Sequence, residues 1–292
     1  MALHGRILHN GRIQPADSPG LFAGQIGLLS GWGVFSTLRV AGGALFAWER
    51  HWARLSRDAR LLNIAMPPDP SAVERDLLRL IEANGRPDCT LRLVIVRNGG
   101  GIWEGPTADR RDMDVIALTA DSKRWGEHVR LDIQPDARFS RSEFAGAKIL
   151  SWAQNLTWAE RAGRRGFDEA VLLNERGLAA ECTSANIFAV FGDEAFTPPL
   201  SDGCLPGITR EILLREIRLT DASVAERSLT LEDLYRADEV FITSTTRDLL
   251  PVHEIAGRQL NRESVVRERL SAAFRQFLQR DIAGRGMATL SL

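Results

Sequence analysis

Lysine is almost missing from this chain. Of 37 basic residues in 292, only Lys123 and Lys148 are lysines, so nearly every positive charge is a guanidinium that stays protonated. Cysteine is also scarce. Cys89, Cys182 and Cys204 are too few, too scattered and odd in number for a disulfide framework, and they lack the paired spacing of a zinc site, which fits a reducing, cytoplasmic setting. No stretch approaches the roughly 18 apolar residues of a membrane span. The opening MALHGRILHNGRI has polar residues where a signal peptide needs an apolar run. A net charge of -1, with the arginines offset by 38 acids and spread along the chain, gives no footprint for nucleic acid. There are no internal repeats and no low-complexity tract. What remains is the composition of an ordinary globular chain, 44% hydrophobic and 26% charged, long enough for two domains.

The pattern along the chain predicts two mixed halves. Residues 3–13 and 33–48 read as strands, the latter broken at Ala41-Gly42-Gly43, followed by helices over about 49–63 and 70–84. Thr90–Arg97 and Asp114–Thr119 read as strands. Residues 1–119 then form an N-terminal α/β domain, and the polar segment 120–127 is the linker. In 128–292 the expected elements are a strand at Val129–Ile133, a helix over Leu150–Arg165 and a meander at Glu169–Leu173, Ala179–Thr183, Ile187–Phe191 and Ala195–Thr197. Helices near 207–217 and 230–236, a strand at Glu239–Thr243 and a helix over 262–282 complete it.

The two lysines have different neighbourhoods. Lys123 lies in the polar stretch DSKRWGEH, whereas Lys148 lies in FAGAKILSW, whose small and apolar residues would desolvate an ammonium and lower its pKa. Such an amine is a candidate nucleophile for a carbonyl, forming a Schiff base that guanidinium cannot form. Other features suit an anion. In LPGITREILLREI, Pro206 and Gly207 precede a helix whose first N–H groups, at Ile208 and Thr209, point at whatever binds there. VFITSTTRDLLPV ends an apolar strand in four hydroxyl residues, Thr243 to Thr246. In ERHWARLSRDARLLNI, His51, Leu55, Ala59 and Leu62 make one buried stripe and Arg54 sits one residue off it, a position that by itself reads as helix surface. Glu181, in LAAECTSANIF, is a carboxylate on a strand bounded by apolar residues. Burying it calls for a partner, such as a protonated nitrogen.

As a set, GVFSTLRV, HWARL, the lysine before a helix, DEAVLLNERGLAAECTSANIFAV, TPPLSDGCLPGITR and ADEVFITSTTRDLLPV closely resemble the class IV aminotransferases, the fold type IV pyridoxal-phosphate enzymes, from about Gly31 to Val252. The resemblance implies a two-domain α/β (α+β) chain with a small N-terminal α/β domain and a larger, mixed β-barrel-like C-terminal domain. It implies pyridoxal 5'-phosphate as cofactor, no metal, an amino acid and a keto acid as substrates, and a homodimer. By resemblance Lys148 forms the Schiff base and moves the proton, and Glu181 holds the pyridine nitrogen protonated. Arg54, Ile208, Thr209, Ser244 and Thr245 bind the phosphate, and Asn186 lies in the cofactor-binding set. Phe35, Thr37, Arg39, Arg92, Trp152 and Thr246 fall in the substrate region; from their positions alone Arg39 and Arg92 read either as local cations for a substrate carboxylate or as structural strand residues.

Within the family the pocket departs from each well-known pattern. Branched-chain aminotransferases resemble this chain through PPLSDGCLPGITR but usually carry a tyrosine five residues after the lysine. Here that residue is Ala153, preceded by Trp152, and Tyr235 is the only tyrosine. Where D-amino-acid aminotransferases carry an Arg-x-His carboxylate trap, this chain has Ile102 and Glu104. Aminodeoxychorismate lyases also lack the tyrosine, and their RGSGG-like loop is similar to Arg97–Gly101, with Thr37 in a matching Phe-x-Thr context. The expectation is a ping-pong transaminase acting on a branched-chain-like or other apolar amino acid. The alternatives are a lyase releasing 4-aminobenzoate and pyruvate, and, remotely, a non-catalytic binding protein on the same scaffold.

Overall fold

The computed structural model describes residues 2–18, 20, 21, 24–100, 111–260 and 265–289, with side chains as far as Arg285. Gly101, Ile102 and Glu104 lie outside the described residues. The chain divides into two units. The first takes in residues 1–123, 148–152 and 279–292; the second takes in 124–147 and 153–278. Where the sequence suggests a single break within 120–127, the segment 148–152 and the last turns of the C-terminal helix group with the first unit.

The first unit is built on a six-stranded antiparallel sheet in the order β2-β1-β6-β5-β3-β4. Its strands are β1 (Leu3–His9), β2 (Arg12–Pro15), β3 (Gly33–Ala41), β4 (Ala44–Leu45), β5 (Cys89–Arg97) and β6 (Met113–Ala120). The expected strand over 3–13 is a hairpin instead. Asn10 and Gly11 both have positive φ, the conformation that a tight two-residue turn requires. A short helix, α1 (Ile26–Ser30), precedes β3. Alternation along β3 and β5 sends Val34, Leu38, Leu91, Leu93 and Ile95 to one face, where they pack with Leu55 and Ala59 of α2 (Trp48–Leu61) and Val73, Leu77 and Leu80 of α3 (Pro70–Asn84). Each fully buried Leu there contributes about 1.5–3 kcal/mol. α3 starts as its sequence predicts: Asp69 accepts from the Ser71 N–H, Pro70 occupies the first turn, and Gly85 ends it with φ 60°.

The second unit holds a nine-stranded mixed sheet running β12-β11-β10-β13-β14-β7-β8-β9, with β15 paired to β14. These strands are β7 (Val129–Arg138), β8 (Glu169–Asn174), β9 (Ala179–Cys182), β10 (Asn186–Phe191), β11 (Glu194–Thr197), β12 (Ser223–Glu226), β13 (Glu239–Ser244), β14 (Asp248–Ile255) and β15 (Arg258–Gln259). β9 and β10 are far apart along this path, yet three residues join them and the Cys182 N–H donates to the Ala185 carbonyl. That connection requires the sheet to curl on itself, the barrel-like character expected of this half. Leu131, Val171, Ile187, Ile242 and Val252 fill its core. α4 (Ala153–Arg164) buries Ala162 with Ala170 and Leu172 of β8, and α5 (Ile208–Arg215), α6 (Leu231–Arg236) and α7 (Val265–Thr289) follow. α6 carries a full capping box between Thr230 and Asp233. β7 runs five residues past its expected end. β12, β14 and β15 were not expected, and α7 extends to Thr289 where the pattern ended at 282.

Candidate active site

The candidate residues divide between the two units. In the first, Lys148 is not the residue before a helix that continues through 150. Residues 148–150 run alongside β3: the Phe35 N–H donates to the Lys148 carbonyl, the Leu150 N–H to the Gly33 carbonyl, and Val34 pairs with Ile149. Close approach at this edge needs Gly33, because a Cβ there would meet Leu150 at 2.4 Å. The Lys148 N–H donates to the Asp58 carboxylate at 3.0 Å. With its backbone held on both sides, Lys148 places Nζ 4.5 Å from the Phe35 ring centroid and 4.9 Å from that of Trp152. The two rings meet edge to face at 5.5 Å and join Val94, Val96, Ile116 and Leu150 in one apolar cluster.

Phe35 carries a second cation. The Arg92 guanidinium lies 4.6 Å from its centroid, and Arg92 faces Thr37 across the β3–β5 ladder, while Arg39 faces Thr90 two residues on. Phe35, Thr37, Arg39 and Arg92 therefore share the sheet face opposite the helix-covered core. Arg54 departs from its surface reading. It is 8% exposed and donates through Nη2 to Ser36 Oγ at 3.0 Å, and Ser36 Oγ lies 2.8 Å from His51 Nδ1. Asp58, one turn further along α2, is more deeply buried still, so the helix turns a polar row inward beside its apolar one. Burial, with Arg54 and Lys148 nearby, pushes the His51 pKa well down and keeps the imidazole neutral.

In the second unit Glu181 and Asn186 converge on Leu205. The Leu205 N–H donates to Glu181 Oε2 at 3.0 Å, and the Leu205 carbonyl accepts from Asn186 Nδ2 at 2.8 Å. Glu181 has a partner that its sequence setting did not reveal: Arg138 Nε donates to Oε1 at 2.9 Å. Arg138 in turn is braced by Asn155. Each Glu181 oxygen thus keeps a lone pair for another donor. Leu205 leads through Pro206 to Gly207, the uncapped residue before α5. A Cβ on Gly207 would strike the Asn186 amide at 2.0 Å, so the helix start is pressed against that side chain. The first N–H groups of α5, including those of Ile208 and Thr209, have no intrahelical acceptor. Thr209 Oγ1 is buried with no partner among the described residues, and so is Oγ1 of Thr243, which pairs with Asn186 across β10 and β13. Thr243 leads into Ser244, Thr245 and Thr246 at the turn before β14.

These residues fit pyridoxal phosphate. A helix start with open N–H groups and orphaned hydroxyls suits a dianionic phosphate, an ion-paired carboxylate with spare lone pairs suits a protonated ring nitrogen, and an apolar-lined amine suits the carbonyl. No helix among the described residues is long and apolar enough to cross a membrane, and none of their acidic, histidine and cysteine side chains cluster as a metal site.

The model of the amino-transferase class IV family matches residues 33–255. A protein of Methanocaldococcus jannaschii provisionally named a branched-chain-amino-acid aminotransferase is 31% identical over 262 residues, 89% of this chain and 91% of that one. The D-alanine aminotransferase of Bacillus licheniformis is 29% identical over 272 residues, 87% of this chain and 90% of its own. The crystal structure of the branched-chain aminotransferase from Thermoproteus uzoniensis with norvaline superposes with a TM-score of 0.83 at 27% identity, covering 95% of this chain and 96% of that one. The chain belongs to the class IV aminotransferases, and it is a pyridoxal-phosphate enzyme of the kind its motifs resemble.

Proposed function

We propose that this aminotransferase moves the amino group of an apolar amino acid to a 2-keto acid in two ping-pong half-reactions, with Lys148 as the catalytic amine. The observation that carries this reading is the seat of Lys148, fixed at its backbone by Asp58 and β3 and facing Phe35 and Trp152 with its amine. Pyridoxal phosphate, when bound, would supply a carbonyl that condenses with amines and a ring that accepts an electron pair. Lys148 would supply the base, its amine taking up and giving back the substrate Cα proton. Glu181, paired with Arg138 and accepting the Leu205 N–H, would hold the pyridine nitrogen protonated. Arg54, the N–H groups of Ile208 and Thr209, and the hydroxyls of Ser244 and Thr245 hold the phosphate, with Asn186 bracing the α5 start.

Phe35 and Trp152 supply an apolar wall for the amino acid side chain, and Thr37, Arg39, Arg92 and Thr246 are the polar groups for its carboxylate. The apolar character of the cluster around Lys148 favours branched or linear aliphatic donors. The enzyme works as a homodimer in the cytoplasm on this reading. A half-reaction screen tests it. Purified enzyme mixed with valine, leucine or norvaline alone, in either enantiomer, should lose its yellow colour and release one equivalent of keto acid. No colour loss with any amino acid, together with 4-aminobenzoate from aminodeoxychorismate, would put a lyase in its place.

A further inference from the structure

The turn after β13 carries Ser244, Thr245 and Thr246, and the next residue, Arg247, is held in an unusual way. Its side chain is 7% exposed and pairs with Glu169, itself 3% exposed, through Nη2 at 2.8 Å. The same Nη2 reaches Ser184 Oγ at 2.9 Å, Nη1 reaches the Ser184 carbonyl at 3.0 Å and Ser244 Oγ at 3.5 Å, and the guanidinium stacks 3.9 Å from the Trp125 ring centroid. Ser184 Oγ donates to the same Glu169 oxygen at 2.7 Å, and the other oxygen accepts from Thr183 Oγ1 and the Ala170 N–H. One guanidinium therefore ties the hydroxyl turn to Ser184 and, through Glu169, to Thr183, in the connection between Glu181 on β9 and Asn186 on β10.

We infer that Arg247 is a positioning residue for the cofactor phosphate: clamped by Glu169, it holds the Ser244–Thr246 turn in the conformation that grips the phosphate, and it fixes that turn relative to the Glu181–Asn186 segment. This rests on the assignment of Ser244 and Thr245 to the phosphate. A buried ion pair is weak evidence for stability as such, because desolvation offsets most of its attraction. What it does supply is geometry, since the two terminal nitrogens of a rigid fork engage four acceptors on three residues at once.

The test compares retention of pyridoxal phosphate with retention of pyridoxal, which lacks the phosphate, by full-length enzyme. The dissociation constant of pyridoxal divided by that of pyridoxal phosphate isolates the phosphate contribution, and a merely structural loss leaves that ratio alone. Arg247→Met should lower the ratio by about tenfold, the scale of one lost charge-assisted hydrogen bond. In the Arg247→Met background, Ser244→Ala/Thr245→Ala should add little, because the turn is already released. Arg247→Lys keeps a charge for Glu169 but cannot span Ser184 and Glu169 together, so it folds and should still lower the ratio. Glu169→Gln/Arg247→Met removes both charges if the lone carboxylate unfolds the single variant. Parent-like ratios in the Arg247 variants, with Ser244→Ala/Thr245→Ala lowering the ratio on its own, would overturn the role of Arg247. An unchanged ratio in Ser244→Ala/Thr245→Ala would overturn the phosphate assignment of the turn, and this inference with it.

Discussion

Asp58 accepts the backbone N–H of Lys148 at 3.0 Å, across 90 residues of sequence. The same carboxylate accepts from Arg57 Nε at 2.8 Å while its side chain is 1% exposed. A charge-assisted acceptor thus sets where the reactive lysine's main chain can lie. Asp58→Ala leaves a buried donor unpaired and should cost about 1–3 kcal/mol. Asp58→Asn keeps an oxygen acceptor and should cost less. Hydrogen exchange at the Lys148 amide is the direct measurement, and unchanged protection in Asp58→Ala would show that β3 alone fixes the segment.

Lys148 should be the only lysine labelled when the holoenzyme is reduced with borohydride and mapped by peptide. Lys123 belongs to a polar stretch, whereas the Lys148 amine faces the Phe35 and Trp152 rings. Label on Lys123, or on neither, would remove Lys148 from its catalytic role.

Arg54 presents a buried planar fork, with Ser36 taking one of its donors. Arg54→Lys keeps the charge and loses the fork, so cofactor retention should weaken by roughly 1–3 kcal/mol. Equilibrium dialysis against free cofactor measures this. Parent-like retention would reduce Arg54 to a packing residue.

His51 gives the enzyme a pH dependence of defined sign. Its pKa in the folded chain lies well below the ordinary 6.5, first because it is buried and then because Arg54 and Lys148 oppose a third positive charge. As pH falls below about 6.5 the unfolded chain takes up a proton that the native state refuses, so stability falls, by up to about 1.4 kcal/mol per pH unit from this group. The loss is complete only below the depressed native value. Urea midpoints measured from pH 7.5 down to pH 5 should drop for the parent, and His51→Gln should flatten that slope. Equal slopes would mean that the imidazole titrates normally.

What could be read from the sequence follows from how local each signal is. Lys148 stood out because lysine is rare and its neighbours are small or apolar, and the cap at Asp69-Pro70 fixed the start of α3 within a single turn of chain. Leu150 and Trp152 also read as the first turn of a helix, but α4 begins at Ala153, because pairing with Gly33 and Phe35 holds the preceding residues extended. That competition is invisible without knowing that β3 is adjacent. Neither Asp58 nor Arg138 carries a local signal of its role. Their partners lie 90 and 43 residues away, and no periodicity reports such distances. Asn10-Gly11 is the opposite case: a strong hairpin signal lay in the sequence, and an uninterrupted strand pattern masked it.

The grouping of residues 148–152 and 279–292 with the first unit orders events during synthesis. The Ala47 N–H, at the left-handed start of the helix that carries His51 and Arg54, is received by Asp281, and Arg285 bridges Asp281 to Glu49 and Glu74. A ribosome adding about 5–20 residues per second will have finished the second unit before these side chains emerge. The amino-terminal unit is therefore the first to be made and the last to be closed. Nascent chains arrested before Asp281 should hold α2 with a frayed first turn, a vulnerability to proteolysis that ends only when the last helix is delivered.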